Sequence, residues 1–307
     1  MEHIINLLRL TQEQRSAFAR AAQGHEQIFA PDGTAPDGSP LPAEVYRRAT
    51  AILGNPPPEL LRECRSLRLL QTRTAGVDRY ERPGTLPPGT ALYSASGAYG
   101  QSVSEHMFAV LLSLMKRLPG YRDQQRQGLW ADLGPVKTLD GAVVLCLGVG
   151  DLGSCFCKLC KAMGAHTLGI RRDLSKAAPG VDELRGMEEL DGLLPQADVV
   201  ALMLPHAPDT VHVMDRRRLE RMRPDAILLN GGRGSAVDCA ALAQVMEAGR
   251  LWGAGLDVTD PEPLPPDHPL WRQERAVVTP HSAGDAHLAA TMDRVAAIAL
   301  ERLRRFL

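Results

Sequence analysis

The apolar positions of this chain follow two patterns. In the first hundred residues, short apolar runs at Ile4 to Leu8, Ala51 to Leu53 and Leu67 to Thr72 are separated by proline and glycine, and read as buried strands. The stretch from Ala30 to Pro42 is rich in both breakers and reads as a surface loop. Near Ser102 the pattern becomes helical and runs to about Leu118, with Val103, Met107, Val110, Leu111 and Leu114 on one face. Ala142 to Leu147 is then an unbroken apolar strand, as expected of a parallel sheet covered on both faces. Further strands are predicted at Thr167 to Ile170, Val199 to Met203, Ala226 to Leu229, Gly253 to Val258 and Ala276 to Thr279, alternating with helical stretches. The last amphipathic stretch, from about Ala286 to Leu307, predicts a helix that folds back on the N-terminal domain.

This alternation predicts an α/β protein of two Rossmann-like domains, each a doubly wound parallel sheet. The predicted boundaries are 1–98 plus 286–307 for a discontinuous domain and 99–285 for the other. A chain of 307 residues is too long for one ordinary core, so two domains fit.

Composition narrows the classes. The hydrophobic share is 44% and the formal charge −1, so no basic excess attracts nucleic acid or an anionic membrane. Met1 to Leu10 is interrupted by Asn6 and Arg9 and lacks a signal-peptide pattern. No apolar run approaches the roughly 18 to 20 residues of a spanning helix, and a cytoplasmic location is expected. Cys155, Cys157 and Cys160 fall on a predicted helix, where steps of about 100° turn the first two about 160° apart. The three cannot converge on one ion, and no metal site is expected.

Gly148-Val149-Gly150-Asp151-Leu152-Gly153 directly follows the apolar strand and opens a helix. That context makes G-x-G-x-x-G a dinucleotide turn, with a pyrophosphate at the positive end of the helix. The next strand ends in Arg171-Arg172 rather than the acidic residue that grips an NAD ribose. A guanidinium binds a 2′-phosphate through charge-assisted hydrogen bonds, so NADP(H) is the expected cofactor; NAD stays open because Asp173 is adjacent. The 99–285 domain is therefore the dinucleotide-binding domain, and the discontinuous one the substrate domain.

Three further strand ends carry polar residues: Asn230-Gly231-Gly232-Arg233-Gly234, then Leu256-Asp257-Val258 with Glu262-Pro263-Leu264, then Thr279-Pro280-His281. Open α/β sheets bind ligands at the carboxyl ends of their strands, so these groups can converge. With Thr74-Ala75-Gly76-Val77-Asp78, the glycine motif and His268-Pro269-Leu270-Trp271, this ordered series resembles the D-isomer-specific 2-hydroxyacid dehydrogenase family over nearly the whole chain. The match is weakest from Met1 to about Ala49.

The resemblance implies hydride transfer between NAD(P)(H) and a small 2-oxo acid or D-2-hydroxy acid, in a glyoxylate/hydroxypyruvate reductase-like branch. His281 would be the general acid/base, Glu262 its orienting partner that favours the charged imidazole, and Arg233 the holder of the substrate carboxylate. Backbone amides of Ala75, Gly76 and Val77 would complete carboxylate binding. Asp257 would lie near the nicotinamide carboxamide. Pro205, His206 and Thr210 would fall by the adenosine, although Pro205-His206-Ala207 stands where the family usually has Pro-Leu-Thr. Glu105-His106 matches a family position and is read as structural. The resemblance also implies a homodimer built around Ser102 to Asp140, and hinges near Gly97 to Gly100 and Gly284. The chain ends soon after the final helix, so no regulatory domain is expected. The alternatives are an NAD-preferring dehydrogenase and a dinucleotide-sensing, corepressor-like binding protein. Side-chain specificity, with Trp130 or Trp271 as pocket candidates, stays open.

Overall fold

The computed structural model describes residues 1–284 and 287–307. The chain packs as two compact units, Met1–Tyr99 with Leu288–Leu307, and Gly100–His287. Among the described residues no helix is long and apolar enough to cross a membrane.

The first unit runs β1 (His3–Asn6), α1 (Gln12–Ala21), β2 (Glu26–Phe29), α2 (Ala43–Arg48), β3 (Ala51–Leu53), α3 (Pro58–Leu61), β4 (Leu69–Gln71) and β5 (Ala91–Tyr93). Its strands are all parallel, in the order β2-β1-β3-β4-β5. Thr11 and Gln14 form a reciprocal capping box that starts α1. Ile5, Ile52 and Leu70 pack with Tyr46, Leu61 and Tyr80 into one core. The C-terminal helix, Ala289–Phe306, belongs to this unit: Gln14 Nε2 donates to Asp293 Oδ1 at 2.8 Å, and the Arg302 guanidinium lies 3.5 Å above the Tyr93 ring. The start expected for that helix, Ala286, lies outside the described residues. The Ala30 to Pro42 loop contains a short 3-10 turn at Pro31–Gly33 and a lone bridge between Thr34 and Pro40.

The second unit runs α4 (Gly100–Met115), α5 (Leu118–Gln127), β6 (Val143–Leu147), α6 (Asp151–Ala162), β7 (His166–Ile170), β8 (Glu183–Arg185), α7 (Leu190–Leu193), β9 (Val199–Leu202), α8 (Arg216–Arg221), β10 (Ile227–Asn230), α9 (Cys239–Glu247), β11 (Gly253–Leu256) and β12 (Ala276–Val278). Seven parallel strands lie in the order β12-β11-β10-β9-β6-β7-β8, so the strand order reverses between β6 and β9. In open α/β sheets such a switch point, at the carboxyl ends of the strands, is where ligands bind. The apolar stripe of α4 packs on β10, β11 and β12, where Gly253 and Gly255 let Leu114 and Val110 approach. The helix stops before the expected Leu118. Arg117 takes a left-handed φ of 59°, and Pro119, which cannot continue a helix, lies in the first turn of α5.

The strands absent from the sequence reading are β2, β5 and β8, all at sheet edges. An edge strand is only partly covered, so Glu26–Phe29 and Glu183–Arg185 carry charged residues instead of an apolar run.

Candidate active site

The glycine turn sits at the switch point, between β6 and α6. Gly148 has φ +90°, and a Cβ there would lie 2.7 Å from the Met203 carbonyl oxygen. A Cβ on Gly153 would meet the Gly148 carbonyl oxygen at 2.2 Å, so packing of helix on strand already demands glycine. Gly150 differs: a Cβ there would meet nothing within 4 Å. Protein packing does not require that glycine, and the open space beside it leaves room for a pyrophosphate to approach the backbone. Gly150 is also the N-cap of α6 and makes no side-chain cap, which leaves the first-turn amides to other acceptors. The turn therefore fits a dinucleotide. Leu152 is partly buried in the first turn, and the Asp151 carboxylate lies against Gly100 of α4.

At the end of β7, Arg171 Nη1 donates to the carbonyls of Lys176 and Ala177, at 3.0 and 3.1 Å. Arg172 forms a two-oxygen pair with Asp209, at 2.5 and 2.7 Å. The neighbouring Asp173 turns back on its own loop, accepting from the Ser175 hydroxyl and amide. Those bonds hold its carboxyl below the ordinary range. Beyond β9, His206 Nδ1 meets Ser235 Oγ at 2.9 Å. Thr210 is buried, and its hydroxyl is engaged with the backbone of Pro205 and Ala207. It braces the loop that carries His206.

The ends of β10, β11 and β12 lie side by side, with Asn230, Leu256 and Val278 in register. Arg233, Asp257 and His281 thus leave the sheet within three residues of one edge, on three neighbouring strands. Asn230 shapes the first turn, accepting from the Gly232 amide and donating to the Arg233 carbonyl. Arg233 Nη1 donates to Gly232 O at 2.9 Å. Glu262 stands between the cis Asp260–Pro261 and Glu262–Pro263 bonds. Its Oε1 meets His281 Nδ1 at 2.7 Å, leaving Nε2 on the opposite edge of the ring.

His281 takes φ +51°, a left-handed conformation that costs a residue with a side chain about 1–2 kcal/mol. The loop supplies the restraint. The His281 amide donates to the Asp257 carbonyl at 2.8 Å. The buried Asp257 carboxylate accepts from Thr279 Oγ1 at 2.6 Å and from the amides of Ser282 and Ala283 at 3.0 and 3.1 Å. From α4, His106 Nε2 lies 3.1 Å from Thr279 Oγ1, and Ser102 Oγ donates to the Ala283 carbonyl. Sequence reasoning missed this support. The one available signal was the i, i+4 spacing of two polar residues, Ser102 and His106, beside the apolar stripe of α4.

The Thr74 to Asp78 loop follows β4 in the other unit. Thr72 Oγ1 donates to Thr74 O, and Thr74 Oγ1 to Gly76 O, both at 2.8 Å. On α6, Cys157 and Cys160 are buried while Cys155 is half-buried. Burial pushes the Cys160 thiol up, and Cys146 is raised by its hydrogen bond with Cys157 and by burial. Among the described residues no cluster of ligating side chains could hold a metal ion.

A dinucleotide turn at the switch point of a 3-2-1-4 type sheet, with a His–Glu pair and an arginine at neighbouring strand ends, defines an NAD(P)-dependent oxidoreductase. Residues 108–283 match the family model described as D-isomer specific 2-hydroxyacid dehydrogenase, NAD binding domain. An uncharacterized protein encoded in the proB 3′ region of Corynebacterium melassecola is 30% identical over 220 residues, covering 71% of this chain and 72% of that protein. A D-isomer specific 2-hydroxyacid dehydrogenase family protein from Aeromonas salmonicida is 31% identical with a TM-score of 0.83, covering 99% of this chain and 95% of that one. A D-isomer specific 2-hydroxyacid dehydrogenase from Xanthobacter autotrophicus, solved in complex with NADPH and MES, is 27% identical with a TM-score of 0.80, over 99% and 95% of the two chains. The chain belongs to the D-isomer specific 2-hydroxyacid dehydrogenase family.

Proposed function

We propose that this protein reduces a small 2-oxo acid to its D-2-hydroxy acid with NADPH, and runs the reverse oxidation with NADP. The observation that carries the reading is the 2.7 Å contact between His281 Nδ1 and Glu262, on the same carboxyl edge of the sheet as the dinucleotide turn. The cofactor supplies a hydride to the carbonyl carbon, and the carbonyl oxygen must then gain a proton. Glu262 orients the imidazole through Nδ1, so Nε2 is the edge that delivers that proton. In the reverse direction Nε2 takes it from the hydroxyl. Arg233 pairs with the substrate carboxylate and polarises the carbonyl oxygen, where negative charge develops.

For the cofactor, two arginines end β7 while the nearest carboxylate, Asp173, is folded onto Ser175. A relative that binds NADPH on the same fold supports this preference. His206 is proposed beside the adenosine, and Asp257 by its position at the end of β11 beside the nicotinamide. We further propose a homodimer through the face that exposes Leu118, Leu129 and Trp130.

One experiment tests the core of this reading. Oxidation of NADPH and of NADH is followed by absorbance against a panel of 2-oxo acids, for the native protein and for His281→Ala. Native turnover with NADPH ahead of NADH is expected, with a loss of about 10²–10⁴ in His281→Ala while cofactor still binds. Near-normal turnover in that variant overturns the role of His281. Cofactor binding without turnover of any 2-oxo acid favours a sensing protein instead.

A further inference from the structure

The contacts behind His281 contain a constraint that hydrogen counting exposes. The Asp257 side chain is 3% exposed and, as a carboxylate, can only accept. The Thr279 hydroxyl has one proton, and its oxygen lies 2.6 Å from Asp257 Oδ1, so that proton goes to the carboxylate. The same oxygen is 3.1 Å from His106 Nε2. With its own proton already used, Thr279 must accept there, and His106 must donate. Ser102, one helical turn earlier on α4, donates to Ala283 O. Helix α4 therefore grips the loop on both sides of His281, at residues 279 and 283.

We propose that His106 is a positioning residue for His281, acting as an obligate Nε2–H donor. It orients the Thr279 hydroxyl towards Asp257, and Asp257 in turn holds the amides of Ser282 and Ala283. The left-handed backbone at His281 lies inside that chain of bonds and is kept there by them. His106 touches neither substrate nor cofactor in this role. The inference rests on the reading of His281 as the proton donor, and it replaces the purely structural role first expected of His106. A packing histidine would be indifferent to which ring nitrogen carries hydrogen. A positioning donor is not.

The test has two arms on the full chain. Nitrogen-15 histidine NMR of the resting protein, assigned with His106→Gln and His281→Gln, reads the protonation of each ring. Hydrogen on Nε2 of His106 is expected, and a neutral ring with its hydrogen on Nδ1 alone overturns the assignment. In kinetics, His106→Leu should lower kcat by about tenfold, with KM for the 2-oxo acid and for NADPH within about twofold. His106→Gln, which keeps a donor, should recover kcat to within about threefold. Thr279→Val should reproduce the loss and Thr279→Ser should not, which keeps the test open if His106→Leu folds poorly. Unchanged kcat in both His106→Leu and Thr279→Val, or failure of glutamine to rescue, overturns the proposal. If His281→Ala retains turnover, the catalytic reading fails instead, and the NMR arm still reports on His106 separately.

Discussion

Adding one methyl group at two glycines of the same turn should have opposite consequences. In Gly153→Ala the new Cβ would stand 2.2 Å from the Gly148 carbonyl oxygen and 3.0 Å from Cys146 Sγ. Ordinary contact begins about 1.2 Å further out than the first distance, and the obstruction is backbone at the end of β6, which cannot swing aside. Overpacking of this kind costs about 1–3 kcal/mol. In a unit of about 190 residues each kcal/mol lowers Tm by about 2–4 °C, so a fall of about 2–12 °C is expected. In Gly150→Ala the Cβ points into open space and φ is an ordinary −82°, so Tm should stay within about 1 °C. Its effect should appear in binding, because the methyl group occupies the space a pyrophosphate needs. Losing one hydrogen bond to a charged group costs about 1.5–3 kcal/mol, which corresponds to about 10–100-fold in NADPH affinity. Differential scanning fluorimetry without cofactor, and fluorescence titration with NADPH, separate the two effects. If Gly150→Ala binds NADPH as tightly as the native protein, the turn does not cradle a pyrophosphate. If both variants lose stability equally, the packing argument fails.

Other expectations follow from the same geometry. Arg171→Asp should weaken NADPH by at least tenfold and leave NADH nearly unchanged; equal effects on the two cofactors in initial-rate measurements would count against a phosphate site at β7. Asp209→Ala frees the exposed Arg172 from its partner and removes a nearby negative charge, so KM for NADPH should fall by up to about fivefold at low salt, with no change for NADH. Asp191 is held at about 2, first by Arg217 and then by Arg218. A carboxyl lowered on folding stabilises above its unfolded value near 3.8 and loses that contribution as pH falls towards 2. Thermal melts should therefore show a smaller loss between pH 4 and about pH 2 in Asp191→Asn than in the native protein. Trp130→Glu places a charge on the exposed face proposed for dimerisation, and light scattering should show a shift towards monomer.

Much of this protein was determined locally. Ala142 to Leu147 reads as a buried parallel strand because both faces are covered, and the third glycine of the turn beside it is set by a contact within a few residues, Gly153 against the Gly148 carbonyl. The positions of Arg233, Glu262 and His281 in the chain could be read for the same reason, since each follows a recognisable strand or turn. Three of the four edge strands, β2, β5 and β8, could not be read this way, because an edge strand is only partly covered and need not carry an apolar run; β12 keeps one in Ala276–Val278. The stop in α4 came from Arg117 and Pro119, and the apolar stripe masked it.

What only tertiary structure decided is the support behind the histidine. His106, Asp257 and Thr279 are separated by about 150 and 20 residues of sequence, and nothing in their local patterns states that they share hydrogen bonds. The contact exists because α4 crosses the face of β10 to β12, and that crossing depends on glycines far from His106 in sequence: Gly253 and Gly255 in β11, and Gly231 past β10, which leaves room for Met107. Periodicity records which side of a helix is buried, since burial acts on every residue of the stripe. A hydrogen bond between distant elements depends on the sum of all the packing between them, and so becomes visible only when the chain is folded.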